Sequence, residues 1–399
     1  MFKGIKKALI EGNLFLFLLK KIDKFVSFFA RKIVYRKGTV QNNKIFFMTY
    51  DNAYSCNLRY IADEIIRQEL PVELVWATKK KKKALVKTFP KEITLVEHGK
   101  APMFEAQASA KIWFDNALNC VWFGMPKKKE QIYINTWHGS MGIKRLSGNW
   151  FWRYRAKKCR KITDYCISNS TFEEDVYRDT FWRDSTYLRF GHARNDLLLQ
   201  TDRHPEVLEK VRTFFELDEN TKCVLYAPTF RDDGTISCYD INFEQLKYAM
   251  EEKFGGNWCV LVRMHHKNKK VKLSNEWNEW LKDASSYPDM QELLVAVDVG
   301  ITDYSSWAYD YVITKKPLFI YATDIEKYNG TRGFYYSLET TPFPICRNNE
   351  ELQENVANFD NEAYLVKCDA FLEEKGCAET GEAAVKIVEF IKKECLEMQ

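Results

Sequence analysis

The hydrophobic pattern changes period once, near residue 40. Before it, Phe15, Leu18, Ile22, Phe25, Phe29 and Ile33 recur at helical spacing, with Lys20, Lys21, Lys24, Arg31 and Lys32 on other faces. After it, short apolar runs alternate with helical stretches. Strands are predicted at 44–50, 72–77, 92–96, 111–116, 131–136 and 165–168, with a helix over 55–68. A polar stretch at 201–206 then separates a second series, with strands at 223–227, 259–263, 299–302 and 318–321. Strands alternating with helices predict parallel sheets covered on both faces, here two doubly wound α/β units in tandem. The expected division is an amphipathic helical segment over 1–40, units over 41–205 and 206–380, and a last helix over 381–399 that packs back on the first unit.

Composition narrows this picture. A chain of 399 residues that is 46% apolar and 15% aromatic can bury two cores. Its 11 Cys show no C-x-x-C pair, and Cys166, Cys223 and Cys259 sit inside apolar runs, so they read as buried free thiols in a reducing compartment. The formal charge of +5 is mild, but basic clusters stand at 79–83, 127–129 and 153–161. Each cluster reads equally well as a phosphate-attracting patch or a solvated face. The apolar run 14–19 is too short to span a bilayer and lacks a cleavage site, which leaves an amphipathic helix suited to the interface of an anionic membrane or, alternatively, to packing on the protein's own core.

In open α/β sheets ligands gather beyond the carboxyl ends of the strands, and three such places carry chemistry. The first is Asn135-Thr136-Trp137-His138-Gly139-Ser140, where a strand ends in a titratable ring followed by a glycine that lets the backbone turn closely. The second is Arg263-Met264-His265-His266; strand alternation puts Arg263 and His265 on one side, a pair suited to a phosphate. The third is Ile301-Thr302-Asp303-Tyr304-Ser305-Ser306 running into a helix, an anion site with Asp310 one turn on. Set against these are a structural His, surface ion pairs and plain helix capping. There is no Walker loop, G-x-G-x-x-G, G-x-S-x-G or H-E-x-x-H, so simple kinase, dehydrogenase, hydrolase and zinc-protease readings lose support.

From about residue 44 to 352 the chain resembles the CDP-glycerol glycerophosphotransferase family, the primases and polymerases of wall teichoic acid. The tract Asp298 to Ser306, followed by Lys316-Pro317 and Arg332-Gly333-Phe334, carries most of the likeness. Ile167-Ser168-Asn169-Ser170, Gly191-His192-Ala193-Arg194-Asn195-Asp196 and Tyr226-Ala227-Pro228-Thr229-Phe230-Arg231 add to it. The resemblance implies a glycosyltransferase-B architecture of two Rossmann-like units and a CDP-glycerol or CDP-ribitol donor. It implies His138 and His265 as catalytic, and Gly139, Ser140, Arg194, Pro228, Thr229, Arg231, Arg263, Asp303, Ser305, Ser306, Asp310 and Arg332 as substrate contacts.

The same resemblance implies an undecaprenyl-diphosphate-linked glycan acceptor and peripheral attachment to the cytoplasmic face of the membrane. No cofactor or metal site is expected, with a Mg²⁺ held loosely on the diphosphate left open. The sequence departs from the family pattern at Ser140-Met141, His192-Ala193 and His266, which leaves acceptor and polyol identity open. Two rival readings are a nucleotide-sugar transferase of the same architecture and a non-catalytic membrane-surface binding protein. Release of CMP and saturable CDP-glycerol binding separate them. Aromatic and basic residues interleave at 150–158, which hints at nucleic acid, but the small net charge and absence of a binding module argue against it. That segment better suits the acceptor's lipid diphosphate.

Overall fold

The computed structural model describes residues 31, 33–36, 38–79, 86–122, 125–146, 150–231, 237–264 and 277–396. The amphipathic segment expected over the first 40 residues therefore lies outside the described residues as far as residue 30.

Two wholly parallel sheets form the frame. The first contains β1 (Gln41–Met48), β2 (Glu73–Thr78), β3 (Ile93–Glu97), β4 (Ala110–Asp115), β5 (Ile132–Asn135), β6 (Tyr165–Ile167) and β7 (Thr186–Leu188), ordered 3-2-1-4-5-6-7. The second contains β8 (Lys222–Tyr226), β9 (Trp258–Val262), β10 (Leu281–Asp283), β11 (Val299–Thr302), β12 (Leu318–Tyr321) and β13 (Ile345–Cys346), ordered 10-9-8-11-12-13. Both repeat the Rossmann order, so the expected pair of doubly wound units is present. The strands β7, β10 and β13 were not among those predicted.

Burial explains why these strands read as unbroken apolar runs. Ile45 to Met48 are fully buried, because helices cover both faces of the sheet. Phe47 stacks on Trp76 and Phe114 at 5.0 and 5.3 Å, tying β1 to its neighbours on either side. On the helix Cys56–Arg67, the residues Leu58, Ile61, Ala62 and Ile65 face the core at helical spacing.

The same helix joins the two halves. Arg59 donates to Asp289 at 2.6 Å and Glu292 at 3.2 Å, and Tyr60 donates to Asp289 at 3.1 Å. The helix Ala383–Phe390 packs on it from the other side, its amino end held by the Asp196 carboxylate, which accepts from the Ala383 and Ala384 N–H groups at 2.8 and 2.7 Å. All 11 cysteines are free. Of the basic clusters, Lys127 pairs with Asp164 and Arg160 with Asp184, while Lys128 donates to the carbonyls of Gly38 and Ala108. These four contacts are structural.

Candidate active site

The order of the first sheet reverses between β1 and β4, which opens a crevice at their carboxyl ends beside the loop that leaves β5. In that loop Trp137 has φ +50°, a left-handed conformation that a bulky residue rarely holds. Such strain costs about 1–3 kcal/mol and persists only where its surroundings over-determine it. Here Asn135 Oδ1 accepts from the Trp137 N–H at 2.9 Å, and buried Asn57 donates to the Thr136 and Trp137 carbonyls at 3.2 and 3.4 Å. Phe181 and Trp182 pack on the indole at 4.7 and 5.7 Å.

The strained residue aims the next one. His138 Nδ1 lies 2.5 Å from the Asn116 carbonyl, which can only accept, so Nδ1 carries the hydrogen and Nε2 keeps its lone pair. The ring stacks on Tyr50 at 4.7 Å. Withdrawal from water pulls the imidazole down to about 4; the Asn116 carbonyl opposes this, the Arg194 cation adds to it, and Asp51 opposes it again. At neutral pH the geometry therefore presents a neutral base.

Beyond His138 the chain crosses to the other half. Tyr336 donates to the Met141 carbonyl at 2.6 Å, the Tyr335 N–H to Ile143 at 2.8 Å, and the Arg145 N–H to Gly333 at 3.1 Å. Ser140 Oγ accepts from Asn169 at 2.9 Å, and the Gly139 carbonyl accepts from Arg194 at 2.6 Å.

The second sheet builds its side with charge. Buried Asp303, just past β11, accepts from the Thr229 N–H at 2.8 and 3.0 Å and pairs with Arg231 at 2.7 Å. Arg231 also forks onto Asp324 at 2.7 and 2.9 Å and lies over the rings of Tyr304 and Tyr328. The turn carrying Pro228 and Thr229 is thereby locked to the loop carrying Ser305 and Ser306. Both serines are half-buried at the head of the short helix Trp307–Tyr311, and the Ser306 hydroxyl does not cap it. Arg263 donates to the Ala284 and Tyr287 carbonyls at 2.8 and 2.7 Å, and burial lowers its pKa.

The two sides meet in one cavity of about 420 Å³, lined by His138, Gly139 and Ser140 from the first half and Tyr304, Ser306 and Tyr335 from the second. Pro228, Thr229, Arg231, Arg263, Asp303 and Ser305 do not line it, and neither do Arg194 and Asp310. The last two form a buried bidentate pair between the halves, both contacts 3.1 Å, and Asp310 also accepts from Asn195 at 3.0 Å and Gln291 at 3.3 Å. His265 and the side chain of Arg332 lie outside the described residues. Among the described residues no group of three or more His, Cys, Asp or Glu is placed to hold a metal ion, and no helix is long and apolar enough to cross a membrane. Sequence reasoning passed over Tyr50, Asn57 and Asn116. Asn116 acts through its backbone and leaves no signature, whereas Asn57, a polar residue one position into an apolar helix face, was a readable anomaly.

Comparison with known proteins places the chain in a family. The family model described as CDP-Glycerol:Poly(glycerophosphate) glycerophosphotransferase matches residues 29–393. A teichoic acid poly(glycerol phosphate) polymerase of Staphylococcus epidermidis is 31% identical over 91% of this chain, which spans only 52% of that relative's length. A protein of the same description from Bacillus spizizenii is 27% identical, with 93% of this chain and 98% of the relative covered. Among solved structures, the wall teichoic acid polymerase TagF, in a crystal soaked with CDPG, superposes with a TM-score of 0.81 at 28% identity, covering 96% of this chain and 98% of that one.

Proposed function

Because this chain belongs to the CDP-Glycerol:Poly(glycerophosphate) glycerophosphotransferase family, we propose that it transfers glycerol phosphate, or a related polyol phosphate such as ribitol phosphate, from its CDP derivative to a hydroxyl of a lipid-linked glycan, releasing CMP in teichoic acid synthesis. The observation that carries this reading is the shared cavity, in which the His138 imidazole and Ser306 open onto the same space.

An alcohol is too weak an acid to attack phosphorus unaided at neutral pH. His138 Nε2 takes the acceptor proton as the new O–P bond forms to the polyol-bearing phosphorus, and the bond from that phosphorus to CMP breaks. A positioned base of this kind contributes on the order of 10²–10⁴ in rate. CMP is a good leaving group, so its side chiefly needs charge neutralisation. Arg263 and the Ser305-Ser306 turn supply it, with His265 as a further donor-side group. The first 40 residues carry the amphipathic pattern that would hold the enzyme at the cytoplasmic membrane face.

The test offers CDP-glycerol and CDP-ribitol separately, with a lipid-linked disaccharide as acceptor. CMP release matched by polyol phosphate on the acceptor is the expected result. Acceptor-dependent release of a nucleoside diphosphate from a nucleotide-sugar, with none of CMP from either CDP-polyol, would replace this reading with a sugar transferase.

A further inference from the structure

The His138 imidazole is held by more than its hydrogen bond. Tyr50, two residues past β1, stacks on it at 4.7 Å with the ring planes 28° apart. Trp137, at φ +50°, sets its indole 4.4 Å from the same ring, tilted by 32°. One residue fixes the hydrogen bond and the stack together. Buried Asn116, which follows β4, takes the His138 Nδ1 hydrogen on its carbonyl, while its side-chain Oδ1 accepts from the Tyr50 N–H at 2.9 Å. Tyr50 itself is 49% exposed, so an aromatic ring at this place adds little to the core.

Building on the transferase reading above, we infer that Tyr50 is a positioning residue whose ring face, with that of Trp137, stabilises the imidazolium formed when His138 takes the acceptor proton. In that step the proton passes from the acceptor hydroxyl to Nε2 while its oxygen bonds to phosphorus and the bond to CMP breaks. The ring becomes a cation in a site that withholds water, and its Nδ1 faces a neutral carbonyl rather than a carboxylate.

The charged groups nearby give the cation little help. Arg194 disfavours it, and Asp51 favours it but is engaged in its own loop, where it accepts from the Ala53 N–H at 3.0 Å and the Ser55 hydroxyl at 2.8 Å. Across the cavity Glu173 is outnumbered by Lys144, Arg145 and Arg155. An aromatic face, in contrast, attracts a cation within about 6 Å of its centroid, and both rings lie inside that range. The attraction appears only as the proton arrives, so it lowers the barrier without tightening the resting state. A carboxylate in contact would favour the cation more strongly, but it would also hold a proton on the resting base.

The full chain carrying Tyr50→Phe, Tyr50→Leu, or mono-, di- or trifluorophenylalanine at position 50 tests this, because fluorine drains negative charge from a ring face while nearly keeping its shape. Two quantities are read: the single-turnover rate of CMP release from CDP-glycerol or CDP-ribitol, and the His138 ring-nitrogen NMR shifts of the free protein at pH about 5, assigned by their absence from His138→Gln. Tyr50→Phe should stay within about twofold of wild type, since it keeps the ring face. Along the fluorinated series the rate should fall stepwise, towards a loss of roughly 3- to 30-fold in Tyr50→Leu. The protonated fraction of His138 should fall in the same order, with the CDP-glycerol Kd within about twofold throughout. A flat fluorinated series in either readout, whatever the rate of Tyr50→Leu, reduces the ring to packing and overturns the inference while the transferase reading stands. A loss in Tyr50→Phe equal to that in Tyr50→Leu overturns it as well, in favour of the hydroxyl. Absence of CMP release by wild type from either CDP-polyol overturns the transferase reading and this role with it.

Discussion

The two loops that meet in the cavity are held by opposite means. The loop after β5 is strained and held mostly by neutral groups, with Arg194 on the Gly139 carbonyl as the charged contact. It puts Trp137 at φ +50°, fixes His138 through backbone carbonyls and stacked rings, and takes much of its support from Tyr335, Tyr336 and Gly333 in the other half. The turn after β11 is anchored within its own half by a buried Arg231, Asp303 and Asp324 cluster. A base needs a neutral ring in a partly dry place, which charge would spoil. A phosphate-facing turn needs rigidity, which buried ion pairs supply only while every partner is present. Loss of the first loop's key side chain should therefore cost rate, and loss of the second's should cost the fold.

The largest effect expected is on rate. His138→Ala should lower kcat by on the order of 10²–10⁴, read as CMP release. CDP-glycerol binding should persist and unfolding free energy should change by less than about 1 kcal/mol, because a half-buried ring gives up a single hydrogen bond. Wild-type CMP release by this variant would remove His138 from the mechanism. Arg231→Met should show the reverse emphasis. It leaves Asp303 and Asp324 without their shared cation, a loss of about 3–5 kcal/mol in denaturant unfolding. If the midpoint barely moves, the cluster is not what holds the turn.

A smaller effect tests how tightly the second loop is seated. A Cβ on Gly300 in β11 would lie 3.0 Å from the Trp307 ring and 3.1 Å from Leu318 Cδ1. Trp307 cannot yield freely, since its Nε1 donates to the Ala227 carbonyl at 2.9 Å, next to Pro228 and Thr229. Gly300→Ala should therefore cost about 1–3 kcal/mol by overpacking, measured by urea unfolding.

What the sequence disclosed follows the range of the interaction involved. Strands with four or more consecutive apolar residues, such as β1 and β12, were placed to within three residues by pattern alone. The strands β7, β10 and β13 have three, three and two residues and no period to read; their pairing partners create them. Within the site, strand-end position was enough to single out His138 and Ser306. It could not reveal that Arg194 and Asp310, 116 residues apart, are engaged with each other, nor that Arg231 answers two carboxylates at once. Pairing among buried charges depends on which loops the fold brings together. Asn116 serves through a carbonyl that every residue possesses.

The smallest effect concerns the polar groups behind the first loop. Glu379 accepts from the His192 N–H at 3.0 Å and from Asn169 and Asn195 at 3.1 and 2.8 Å. Burial nonetheless raises it to about 7, with neighbouring His192, Asn195 and Asn169 opposing the rise. His192 is buried as well; burial alone would lower its pKa, but Glu173 at 3.0 Å lifts it above the ordinary value. Both groups bind protons more tightly folded than unfolded, so the stability they contribute falls as pH rises. For Glu379 the loss runs from about 4.5 to about 7, and for His192 it begins near 6.5. His138 has the opposite sign, since its depressed pKa makes stability increase between about 4 and 6.5. Below pH 6.5 these contributions offset one another, and above it only the decline remains. The unfolding temperature should therefore drop modestly between pH 6.5 and 8. Glu379→Gln should shallow that slope while adding a small constant cost, because its Nε2 would face the His192 N–H. An unchanged slope in this variant would show that Glu379 is already ionised in the folded protein at pH 6.5, and that its three N–H donors outweigh its burial.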